Sequence, residues 1–161
     1  MRMVAVFCCL VAAAVIGYSE STVSEASRTT GTSQIAGKSA PASILTDAQI
    51  AGWVRRWQDQ LGLSEWIIDA KIVRIWELPQ GAVANIHWSL PKKKATIKVL
   101  SSVDSTLPKS EIARDTELSV VHELVHLSMA KLPLDPTHTE LEEEAVKKLS
   151  VALMALDKGA Q

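Results

Sequence analysis

Two histidines and a glutamate in His122-Glu123-Leu124-Val125-His126 are the residues of this sequence best placed to do chemistry. Positions i and i+4 of a helix share a face about one turn apart, so both imidazoles can reach one metal ion. Glu123 projects beside that face, where a carboxylate can hold a metal-bound water without itself ligating the metal. Imidazole suits Zn²⁺, and a catalytic zinc keeps one coordination position open for water. Chance placement of the four histidines and the glutamates of this chain gives the spacing in about 0.7% of such sequences, so accident is a poor explanation. The flanks sharpen it further. Val120, Val121, Leu124, Val125 and Leu127 are apolar, so a helix buried nearly all round carries three polar side chains. Buried polar groups need partners. A metal and its water would satisfy all three; histidines that serve only the fold are the alternative.

Two histidines and a water leave zinc one protein ligand short, and the acidic run after the helix supplies candidates in His138, Glu140, Glu142, Glu143 and Glu144. If a short turn over 133–137 joins two antiparallel helices, His126 lies about 9 Å before the end of the first, at 1.5 Å per residue. A ligand about one turn into the second helix then sits at a comparable height. Glu142 and Glu143 meet that condition, whereas Glu144 points away with Lys147 and Lys148. Thr139 and Glu142 have capping-box spacing, with Thr139 as N-cap and Glu142 at the third helical position. That would occupy Glu142 with the backbone and favour Glu143, which shares a stripe with Val146, Ser150 and Leu153. Glu142 and then His138 are the alternatives for the third ligand.

The run Ser119–Leu127 resembles the active-site helix of the zincin metallopeptidases, and the later helical glutamate is most similar to the thermolysin-like gluzincin branch and to small stand-alone bacterial zincin domains. The resemblance spans residues 46–157. It implies zinc held by His122, His126 and Glu143, with Glu123 as general base and a peptide or protein as substrate. In that family the strand nearest the cleft binds substrate backbone, and Ala84-Asn85-Ile86-His87-Trp88 is similar in position and flavour. Three features depart from the pattern. The acidic residue expected four positions after the ligand glutamate is Lys147. The one tyrosine, Tyr18, lies in the leader, so oxyanion stabilisation would fall to His87, His138 or an arginine. The domain is also small, with no second lobe to wall a cleft.

The elements that must position these groups begin at Thr46, which has capping-box spacing with Gln49. Ile50, Trp53, Val54, Trp57 and Leu61 form one helix face, and Gly62 is a C-terminal stop. Over 66–76 the pattern alternates, with Trp66, Ile68, Ala70, Ile72 and Trp76 on one side, as in a half-buried strand. After a turn at 79–81, Ala82–Trp88 and Ala95–Leu100 read as two more strands, joined by a basic turn at 91–94. A helix from Ser110 ends near Leu132, because Pro133 and Pro136 cannot continue it. The last helix runs from about Glu140 to Asp157, with Ala145, Val146, Leu149, Ala152, Leu153 and Leu156 as its buried stripe. The expected class is α+β: a small zincin-like domain with a short three-stranded, mostly antiparallel sheet packed on helices.

Composition bounds the function. The 161 residues carry a formal charge of −1 and 47% apolar residues, enough for one real core. With a pI near 6.4 and no basic excess, nucleic acid is not an expected partner, and Lys92-Lys93-Lys94 reads as a solvated hairpin tip that discourages edge pairing. A mean hydropathy of +0.13 is high for a soluble chain, and the apolar stretch Met3–Ile16 accounts for it. That stretch is too short to span a bilayer and has the form of a secretory signal, with an uncleaved anchor as the alternative. The expected organisation is a signal peptide over 1–19, a flexible Ser/Thr-rich linker over 20–44 and a catalytic domain over 45–161. Both cysteines, Cys8 and Cys9, fall in the signal, so the domain has no disulfide, thiol nucleophile or cysteine-ligated metal. These readings predict an exported, periplasmic or extracellular, zinc-dependent hydrolase that cuts peptide bonds, with no membrane span once the signal is removed. A non-catalytic zinc-binding or interaction module on a degenerate zincin scaffold is the alternative.

Overall fold

In a computed structural model of the chain, which describes residues 45–132 and 139–159, one helix precedes three strands and two helices follow them. They are α1 (Asp47–Gln60), β1 (Ile67–Val73), a 3₁₀ turn (Ile75–Glu77), β2 (Ala84–Ser89), β3 (Lys94–Leu100), α2 (Lys109–Met129) and α3 (Thr139–Gly159). The class is α+β. The expected signal and linker over 1–44, Pro133, Pro136 and His138 lie outside the described residues. Among the described residues no helix is long and apolar enough to cross a membrane.

Local sequence explains the ends of α1. The Thr46 hydroxyl accepts from the Gln49 amide at 3.2 Å, a side-chain cap on the first turn. At the other end Gly62 takes a φ of +65°, its amide donates to Asp59 O, and the Leu63 amide donates to Gln58 O at 2.9 Å. This paired closure needs a left-handed residue just past the helix, which glycine supplies without a side-chain clash.

The sheet order is β1-β3-β2. β2 and β3 form the expected antiparallel hairpin, with Ile86 opposite Ile97. β1, however, pairs in parallel with β3, with Ala70 beside Ile97. The sheet is therefore mixed rather than mostly antiparallel. Alternation along a strand shows which side chains are buried but not which neighbour shares its hydrogen bonds. Here the hairpin docks on β1 through its second strand. Lys93 at the hairpin tip has a left-handed φ of 49°, a costly state for a residue with a side chain. Its carbonyl accepts from the Ile67 amide at 2.8 Å, and its ammonium lies 4.9 Å over the Trp66 ring and 3.2 Å from Glu65. This lysine braces the turn as well as keeping it solvated.

Trp76 departs from expectation. β1 ends at Val73, where Asp104 accepts from Arg74 Nε and NH2 at 2.7 and 2.8 Å and from the Ile75 amide at 3.0 Å. The chain turns into the 3₁₀ segment, so Trp76 leaves the sheet and is 69% exposed, with the Arg74 guanidinium 4.5 Å over its ring.

One core joins the helices to the inner face of the sheet. Trp57 from α1, Ile86, Ile97 and Val99 from the sheet, Val120, Val121, Leu124 and Leu127 from α2, and Val146 from α3 are each 0–1% exposed. α2 is the central element, packing on α1, α3, β2 and β3. Glu117 on α2 accepts from Trp57 Nε1 at 3.0 Å and pairs with Arg56, which also reaches Asp157 of α3 at 3.4 Å. This ties the three helices at one end.

α3 is rotated from its expected orientation. Glu143, Val146, Ser150 and Met154 are buried, while Leu149 and Leu156 are 48% and 72% exposed and Ala145 and Ala152 are also exposed. The difference is about one residue step, or 100° around the helix axis. The observed face carries a carboxylate and a hydroxyl in place of leucines. Ser150 meets its need locally by donating to Val146 O at 2.7 Å; Glu143 finds its partners on α2.

Candidate metal centre

α2 supplies the first half of the site by its own periodicity. From Val120 to Leu127 every residue but His122 is buried, as expected for a helix covered on all sides. His122 and His126 lie one turn apart with ring centroids 4.8 Å from each other, edge to face, and their Nε2 atoms are 3.1 Å apart. Glu123 is 3% exposed and close enough for its charge to act on His126.

α3 supplies the second half. Glu143 Oε1 lies 3.1 Å from His126 Nε2, and Oε2 lies 3.4 Å from His122 Nε2. Taking one ligand atom from each, His122, His126 and Glu143 fall within 4.8 Å of one another. Among the described residues this is the group of histidines and acids with metal-holding geometry. The His126 side chain is 1% exposed, whereas those of His122 and Glu143 each retain 12%.

Electrostatics tests whether a cation suits these residues. Both Glu143 oxygens are shut off from solvent, and neither accepts a well-directed hydrogen bond despite the nearby imidazoles. Burial alone would raise the Glu143 carboxyl, but His122 and His126 outweigh it and hold it at about 2. At His126, burial pushes the imidazole down, and the carboxylates of Glu143, Glu123 and Glu142 overcome it and raise its pKa above the ordinary 6.5. Two Nε2 atoms and a carboxylate converging in a dry place repel unless a proton or a metal cation lies among them. Ligands 2.0–2.1 Å from a tetrahedral zinc are about 3.3 Å from each other. The two imidazole Nε2 atoms, 3.1 Å apart, and the 3.1 Å between His126 Nε2 and Glu143 Oε1 are close to that spacing, while the 3.4 Å contact to His122 is made by the other carboxylate oxygen, Oε2. The donor set, two imidazoles and one carboxylate, could hold a metal ion.

The other sequence candidates are placed as follows. Glu144 is exposed and paired with Lys148 at 2.6 Å, and Glu140 and Lys147 are also exposed. His87 is exposed on β2, alternating with Ala84 and Ile86, which are buried in the core shared with α2. It therefore lies on the sheet face turned from the helices and is not brought to the cluster. Glu142 requires a correction. α3 is described from Thr139 onward, and the Glu142 carboxylate, expected to serve the backbone, turns to His126, with Oε1 3.3 Å from Nδ1. Its role as a cap was read from spacing alone, and no sequence signal distinguishes a carboxylate that serves the backbone from one that meets an imidazole on another helix. Comparison with family models, with curated proteins and with solved structures finds no match for this chain.

Proposed function

We propose that this chain is a zinc-dependent hydrolase acting on peptide bonds, with His122, His126 and Glu143 as the zinc ligands and Glu123 as general base. One observation carries the reading: the buried Glu143 carboxylate of α3 faces the Nε2 atoms of both imidazoles, one through each oxygen, while a second buried carboxylate, Glu123, lies on α2 next to His122. The resemblance of Ser119–Leu127 to the zincin active-site helix supports it independently. Bound zinc would supply an acidified water and a Lewis acid for the scissile carbonyl. Glu123 would take the proton from that water and deliver it to the leaving amine, the exchange a general base performs when held within hydrogen-bond reach. His126, walled off from solvent, would anchor the site, and substrate would approach from the partly exposed His122 and Glu143. The Met1–Ile16 segment adds export to the proposal.

A second reading, a zinc-binding module without turnover, also has a specific observation behind it. His87 faces away from the cluster and the only tyrosine is Tyr18, so among the described residues neither supplies an oxyanion donor. Metal analysis with a peptide-library digest tests the proposal. The expected result is one zinc per chain and cleavage that Glu123→Gln abolishes while zinc stays bound. Zinc without cleavage in the wild-type chain would favour the second reading, and a chain that takes up no zinc would exclude both.

A further inference from the structure

We infer that Glu142 is a positioning residue of the metal centre, holding His126 in the tautomer and ring orientation that present its Nε2 to the metal. The inference rests on the zinc reading above and concerns the opposite edge of the same ring.

The His126 ring has two nitrogens and two carboxylate neighbours. Nε2 faces Glu143 and His122, each at 3.1 Å. Nδ1 faces Glu142 Oε1 at 3.3 Å. With a metal ion held between Nε2, His122 and Glu143, Nε2 must offer its lone pair, and the hydrogen of a neutral His126 then belongs on Nδ1, donated to Glu142, because an ionised carboxylate can only accept. In the other tautomer an N–H would point into the cluster and block ligation. The His126 side chain is 1% exposed, so water does not compete for Nδ1. Glu142 keeps 20% side-chain exposure while its Oε1 reaches inward.

The helix explains how neighbouring acids share one ring. Successive residues are about 100° apart around the axis, so Glu142 and Glu143 leave α3 in different directions and meet different edges of His126. An outer carboxylate of this kind fixes the orientation of a metal-bound imidazole and strengthens it as a ligand. The zincin resemblance would have placed such an acid four residues after the ligand, where this chain has the exposed Lys147. Glu142 fills the role from the residue immediately before the ligand.

The test is competitive chelator titration of zinc with the wild-type chain, Glu142→Ala, Glu142→Gln and Glu144→Ala. The last removes the same charge from an exposed site whose partner is Lys148. Glu142→Ala should weaken zinc by about 10–100-fold, the usual effect of losing an outer-shell partner. Glu142→Gln, which still accepts from Nδ1, should recover most of that loss, and Glu144→Ala should match wild type. In parallel, ¹⁵N NMR of the zinc-loaded wild-type chain should show a protonated Nδ1 and a ligated Nε2 on His126, a readout that needs no variant to fold. Wild-type affinity in Glu142→Ala, an equal loss in Glu144→Ala, or ligation through Nδ1 would overturn the assignment. A wild-type chain that binds no zinc at all would instead refute the proposed function on which it stands.

Discussion

Replacing Glu143 separates the cost of burying its carboxylate from the value of that carboxylate to a metal. In Glu143→Gln the side chain keeps its shape and loses its charge. The imidazoles that hold the native carboxyl at about 2 stabilise its charged form, so the chelator-treated variant should melt below wild type, and the comparison is the zinc-induced shift within each protein. Zinc should stabilise the two proteins very differently. A ligand that binds only the folded state at 1,000 times its Kd adds about 4.1 kcal/mol. Each kcal/mol is worth about 4 °C in a domain of this size, so wild type should gain about 16 °C. Removing the only carboxylate ligand leaves two imidazoles, fewer than the three protein ligands that catalytic zinc sites use. If affinity falls about 1,000-fold, the same zinc concentration equals the variant's Kd and adds only about 0.4 kcal/mol, or under 2 °C. The assay is thermal melting, followed by circular dichroism, with chelator and with zinc. A zinc-induced shift in Glu143→Gln equal to that of wild type would refute ligation by Glu143.

Three further outcomes are expected. Glu123→Gln should retain zinc in chelator titration while peptide hydrolysis falls by about 10²–10⁴-fold, the range for loss of a general base; an active variant would remove Glu123 from the mechanism. Without metal, the Glu143 contribution is present above its ordinary 4.5 and lost as pH falls toward about 2, and the His126 contribution is present below its ordinary 6.5 and lost as pH rises through its raised value. Chelator-treated protein should therefore be most stable between these limits, whereas zinc affinity should climb with pH as His126 gives up its proton; a zinc affinity independent of pH between 5 and 8 would contradict the coupling. Leu149→Ala on the exposed face of α3 should change stability by less than about 0.5 kcal/mol, whereas Met154→Ala on its buried face should cost about 2–5 kcal/mol. Denaturant unfolding distinguishes them, and a reversed order would mean that α3 is rotated otherwise.

Features set by a few neighbouring residues were legible in the sequence. The meeting of His122 and His126 is a property of any helix through them, because i and i+4 share a face whatever lies around it. The Thr46 cap, the Gly62 stop and the alternation of β2 and β3 are equally local: each is decided by hydrogen bonds or side-chain directions within a few residues. Glu143 as the carboxylate facing those histidines was reachable as a matter of helix height and phase, since it shares its stripe with Val146 and Ser150. The contact of Glu142 with His126 was not legible, because capping-box spacing offers the same side chain a backbone partner.

Tertiary structure alone decided the rest. α3 carries two apolar faces, one through Leu141, Leu149 and Leu156 and one through Val146 and Met154, and periodicity favours the leucines. Polar anchoring on α2 and α1 selects the other: Glu143 between two imidazoles, Glu142 on the outer edge of His126, and Asp157 on Arg56. Trp76 likewise reads as a strand residue until Asp104, distant in sequence, gathers Arg74 and Ile75 and turns the chain. The parallel pairing of β1 with β3 depends on backbone groups 27 residues apart, such as Ala70 and Ile97, whose side chains record only burial. A sequence states which groups each element can offer; which of two compatible faces is used depends on partners that only the folded chain brings within reach.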